Sequence, residues 1–175
     1  MSIKTKEIMF LLPRGTYNDA TKYYVDLIAE ALELQNFRIS KTENLLDIKN
    51  ADYVFVVSAK WFFLSYLINK RAKIITWYQG LGSEEALMLR NSKRDKLIWK
   101  YLENLSIRKS FINIYVSESM KLFFNTRHKY YDKNFVIIPC FNKNLNIEKI
   151  SNFKPFERPK FVYAGSLDKW QCIDK

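Results

Sequence analysis

Short continuous apolar runs alternate with helix-spaced apolar positions along this 175-residue chain. Residues 8–12 form one unbroken run, and Ala20, Tyr24, Leu27, Ile28 and Ala31 then recur at the spacing of a helix face. Asn18 and Asp19 are placed to cap that helix. Residues 37–40 fit a short strand. Residues 52–58 are β-branched and aromatic, as a buried strand requires, and residues 61–69 fit a very apolar helix. Residues 73–78 predict the next strand, ended by a Gln-Gly-Leu-Gly turn. Ser92 and Asp95 suit the start of a long helix, with Leu97, Ile98, Tyr101, Leu102 and Leu105 as its core stripe. Residues 111–116 and 135–138 predict two further strands, separated by a helix that Ser117 caps.

Strands that are apolar throughout, rather than alternating, belong in a parallel sheet covered on both faces. The fold class expected is therefore α/β, a Rossmann-like doubly wound parallel sheet. Residues 160–167 read as one more buried strand, running into a turn at Gly165 and Ser166 with no helix after it. A strand without its helix is half of a βα unit. The organisation expected is one domain over 1–140, a polar linker over 141–159 containing Pro155 and Pro159, and the first strand of a second domain over 160–175.

Composition changes this picture in one respect. The formal net charge is +11. Between Arg90 and Lys133, eleven Lys and Arg face four Asp and Glu, an excess of seven. Such a field implies an anionic partner: a membrane surface, a phosphorylated substrate or nucleic acid. Lys93, Lys96 and Lys100 lie away from the predicted stripe, flank Trp99 and Tyr101, and are the candidate membrane-facing cations. A solvated helix face is the plainer reading of the same charges. Nucleic acid ranks last as a partner, because charge alone speaks for it. The cysteines, Cys140 and Cys172, are too far apart for a C-x-x-C pair, and His128 is the one histidine. Neither supplies a metal set, so no metal cofactor is expected. His128, among Arg127 and Lys129, is expected to be exposed at a helix end. The absence of a leader pattern or a run of ~20 apolar residues points to a cytoplasmic protein, free or peripheral on the inner face of the membrane.

Two loops carry candidate chemistry. The turn after the first strand holds Arg14, Gly15 and Thr16, and ligands in such folds bind at the carboxyl ends of strands. It is either an anion-binding turn or an ordinary one. The loop after the fourth strand holds Gln79 and Gly80, with Ser83 and Glu85 beyond. It is a candidate substrate loop, or a glycine turn that starts a helix. The two share one sheet edge. G-x-G-x-x-G is absent, which argues against a dinucleotide site.

Four motifs in order carry a resemblance: Trp77-Tyr-Gln-Gly-x-x-x-Glu-Glu85, Tyr115-Val-Ser-Glu-Ser-Met120, Val136-Ile-Ile-Pro-Cys-Phe141 and Phe161-Val-Tyr-Ala-Gly-Ser-Leu167. Together they resemble bacterial retaining glycosyltransferases of the two-Rossmann-domain (B-type) architecture, of the capsular and surface polysaccharide kind. The resemblance implies an acceptor-binding domain over 1–140 and the start of a donor-binding domain from Lys160. It implies a nucleotide-diphosphate sugar as donor and co-substrate, and a polysaccharide or lipid-linked acceptor. It places Gly15 and Thr16 beside donor and acceptor, Gln79 and Gly80 toward the cleft, and Gly165 and Ser166 near the diphosphate. Where relatives carry an arginine and a lysine, this chain has Ser166 and Gln171, with Lys169 as the basic substitute at hand. The family's paired donor-holding glutamates belong to the second domain, so the chain is expected to be a fragment with little activity alone, or one subunit of a split enzyme that recruits a second chain.

Overall fold

A computed structural model of the chain describes residues 6–16 and 19–139. Among them, six strands form one all-parallel sheet: β1 (Glu7–Leu11), β2 (Arg38–Thr42), β3 (Tyr53–Val57), β4 (Lys73–Tyr78), β5 (Ile112–Tyr115) and β6 (Phe135–Ile137). The strand order is β2-β1-β3-β4-β5-β6. Helices α1 (Asp19–Glu33), α2 (Ala59–Ile68), α3 (Gly82–Arg90), α4 (Lys93–Lys109) and α5 (Glu118–His128) fill the connections, with a short 3₁₀ helix at Leu45–Asn50. This is the expected Rossmann-like α/β fold. The strand order reverses between β1 and β3, so the crevice outside their carboxyl ends is where such folds place ligands.

Alternate side chains of each strand enter opposite layers. Phe10, Phe55, Trp77 and Ile114 pack against Val25, Ile28 and Ala29 of α1. Val54, Val56 and Ile74 pack on the other face against Ile48 of the 3₁₀ helix and Phe62 of α2. Further along that second face, Tyr78 and Tyr115 meet Ile107 of α4 and Phe124 of α5. Full burial of each such side chain stabilises by about 1.5–3 kcal/mol. The α1 layer is narrower than the sheet. Beside α1, over β4 to β6, lies an apolar groove of about 350 Å³ floored by Ile75, Ile112, Ile114 and Val136.

Helix α4 keeps Leu102 and Leu105 of the predicted stripe against the core and departs from it elsewhere. Glu103, Ser106 and Ile107 are buried, whereas Leu97, Ile98 and Tyr101 are exposed. The cause is polar pairing inside the second layer. Ser106 Oγ lies 2.7 Å from the Tyr78 hydroxyl, which also donates to Asn113 Oδ1. Asn113 Nδ2 and the Tyr115 hydroxyl both donate to Asp132 Oδ2, which is buried in the turn before β6. Burial pushes the hydroxyls of Tyr78 and Tyr115 far above the ordinary tyrosine range. Both remain neutral hydrogen-bond donors.

Candidate functional site

A cavity of about 260 Å³ opens at the carboxyl ends of β3 and β4. Ser58, Gln79, Gly80, Glu85, Trp99 and Glu103 line it, from two strand ends and from helices α3 and α4.

Its far wall is made by the α3–α4 hairpin, which is held by an unusual cap. Leu81, the residue before α3, has no side chain able to satisfy the helix's first N–H groups. Glu103 of α4 supplies the missing acceptor. The Ser83 amide donates to Glu103 Oε1 at 2.9 Å, and Ser83 Oγ donates to Oε2 at 2.8 Å. A carboxylate there also meets the positive end of the helix dipole. On its other side Glu103 lies 3.5 Å from His128 Nε2, and His128 stacks on Phe124. His128 is therefore buried rather than exposed, its ring turned into the second layer against Phe124. Glu84, one position on from Ser83, binds Arg127 of α5 and, at 3.2 Å, Lys96 of α4. The hydrogen bond from Arg127 is the main reason its carboxyl is held below the ordinary range.

Two glycines let these walls close. A Cβ on Gly82 would sit 2.7 Å from Cε3 of Trp99, and one on Gly80 would collide with the Glu85 carboxylate. Trp99 thus points into the cavity, not outward among the lysines as the sequence reading had it. Ser58, at the end of β3, has φ 88° and ψ 157°, a backbone conformation that costs a non-glycine residue about 1–3 kcal/mol.

The structure joins the two expected loops through one hydrogen bond: Thr21 Oγ1, in the first turns of α1, donates to Gln79 Oε1 at 3.2 Å. Gln79 and Gly80 stand at the cavity. Arg14 does not; its Nε reaches Glu43 Oε2 at 2.9 Å beyond β2 and is well exposed. Thr16 spends its hydroxyl on Pro13 O at 2.6 Å, and Gly15 is open with φ 82°. Lys93 and Lys100 are exposed, and Lys96 is committed to Glu84. Gly165, Ser166 and Lys169, with the linker and second-domain strand, lie outside the described residues. Trp99 and Glu103 were missed as site residues. The signal available was their i, i+4 spacing, which continues through Ser106 and Ile107 as a second stripe on the same helix.

Chemically the cavity offers an aromatic ring, a primary amide, a hydroxyl and an accessible carboxylate. Among the described residues no His, Cys, Asp and Glu cluster suited to a metal ion occurs, and no helix is long and apolar enough to cross a membrane. No family model matches the chain, and no curated protein matches it. The fold class, a Rossmann-like α/β domain, stands on the sheet and its helices alone.

Proposed function

We propose that this domain is the acceptor-binding half of a sugar-nucleotide-dependent glycosyltransferase, with the cavity between β3, β4 and the α3–α4 hairpin as its acceptor subsite. The observation that carries the reading is the cavity's mixture of one aromatic ring with hydroxyl, amide and carboxylate groups. A sugar ring presents an apolar C–H face and a rim of hydroxyls, and that mixture matches both. Trp99 would take the face; Gln79, Ser58 and Glu85 would take the hydroxyls. Orienting an acceptor hydroxyl is the share of catalysis such a half can supply. Stabilising the leaving diphosphate falls to a donor-binding half, in cis or on a second chain. The setting is the cytoplasmic side of the cell membrane, on a polysaccharide or lipid-linked acceptor.

The test has two parts. Calorimetric titration of the 175-residue chain with a panel of neutral oligosaccharides should give saturable binding that Trp99→Ala removes. Transfer from nucleotide sugars should be negligible for this chain alone and appear when a donor-binding domain is supplied. Absence of binding to every glycan sinks the acceptor reading, and efficient transfer by the chain alone sinks the half-enzyme reading.

A further inference from the structure

Large apolar side chains are usually spent on the core, and α4 leaves three of them in solvent. Leu97 is 66% exposed, Tyr101 62% and Ile98 48%. They lie at helical spacing on the face opposite Trp99 and Glu103, the residues that line the cavity. Lys93, Arg94 and Lys100 are exposed around them. Of the helix's two carboxylates, Glu103 is buried and Asp95 is half-buried. The end of α3 extends the patch, with Met88 52% and Leu89 59% exposed at the tip of the hairpin.

We infer that this outer face of the α3–α4 hairpin docks on an anionic bilayer surface, inserting Leu97, Ile98 and Tyr101 between headgroups held by Lys93, Arg94 and Lys100. Leu97, Ile98 and Tyr101 among exposed cations match a bilayer interface, which offers acyl chains below, an interfacial place for the tyrosine and negative charge above. Two of the three are aliphatic, a poor match to nucleic acid, where stacking and polar groups do the work. The surface differs from the lysine-only face read from sequence. Its apolar centre is the stripe that sequence reading had assigned to the core, and Lys96 is not part of it. Because α4 has the cavity on one side and this patch on the other, docking would hold the cavity's rim close to the membrane.

The experiment is sedimentation of the 175-residue chain with phosphatidylcholine vesicles, with and without phosphatidylglycerol, over a salt series. Binding should require phosphatidylglycerol and fall with salt. The triple variant Lys93→Gln/Arg94→Gln/Lys100→Gln should weaken it about a hundredfold, at roughly fivefold for each cation. Leu97→Ser/Ile98→Ser/Tyr101→Ser should weaken binding while leaving its salt dependence in place. All six positions are exposed, so both variants should keep the parent's circular dichroism, and that is checked first. Two outcomes overturn the inference: no binding to phosphatidylglycerol vesicles at low salt, whether or not RNA is bound, or vesicle binding that neither variant changes. Glycan titration of the same variants should be unchanged, which keeps this test separate from the transfer reading.

Discussion

The turn after β1 and the loop after β4 leave the same edge of the sheet, and each carries a glycine beside polar residues. Sequence reading leaves them nearly equivalent. The structure separates them by what stands opposite. The β4 loop faces α3 and α4, so Gly80 and Gly82 are pressed by Glu85 and Trp99 into a walled cavity. Among the described residues nothing lies within 4 Å of a Cβ built on Gly15 in the β1 turn, and Arg14 turns away to Glu43. A glycine loop becomes a site when a second element closes over it. The element here is a helical hairpin whose position depends on two carboxylates, the buried Glu103 and the Lys96- and Arg127-bound Glu84.

That dependence gives the largest expected effect. Glu103→Ala should strand the Ser83 amide and hydroxyl and cost about 3 kcal/mol, read by urea unfolding. Glycan binding should fall with it. If stability is unchanged, Glu103 does not hold the hairpin and the contrast between the loops loses its cause. Next, Gly82→Ala should force the Trp99 ring aside, cost about 1–3 kcal/mol and remove glycan binding. Gly15→Ala, strained only by its positive φ, should cost about 1 kcal/mol and leave glycan binding intact. Equal effects of these two substitutions on binding would erase the distinction. Ser58→Gly should relieve backbone strain and stabilise by about 1 kcal/mol while weakening glycan binding.

The smallest effect concerns acid. Glu84 has its carboxyl held below the ordinary range by Arg127, so its contribution is present above the unfolded-state range and is lost as pH falls through the lower folded value. Arg127→Ala should therefore lower stability at neutral pH, change it little in strong acid, and so flatten the acid limb of a stability-versus-pH curve. An acid limb identical to the parent's would remove this anchor of α3 from the account.

The strands were legible because a parallel sheet buried on both sides leaves runs of β-branched and aromatic residues that little else produces. Residues 53–57 and 73–78 show it most plainly. Ser92 and Ser117 announced two helix starts, and each hydroxyl accepts the expected backbone N–H, from Asp95 and from Met120. The long helix was misread because it carries two stripes at the same spacing. Hydrophobicity favours Leu97, Ile98 and Tyr101, but the buried stripe includes Glu103 and Ser106, whose partners Ser83 and Tyr78 lie on other elements. Pairings between distant positions are not written in local periodicity. His128 was misjudged for the same reason, since its burial depends on Phe124 and Glu103 rather than on its charged neighbours. The cavity was half legible: Gln79 and Gly80 stand out in the sequence as a glycine-rich strand end, while Trp99 needed the fold to bring it there.

The most direct measurement is an amide and indole NMR titration of the chain with the tightest-binding neutral oligosaccharide. The account predicts saturable shifts of the Trp99 indole and of the Gln79 and Gly80 amides, with the Arg14 and Gly15 amides unmoved. Shifts centred on Arg14 and Gly15, with Trp99 silent, would contradict it.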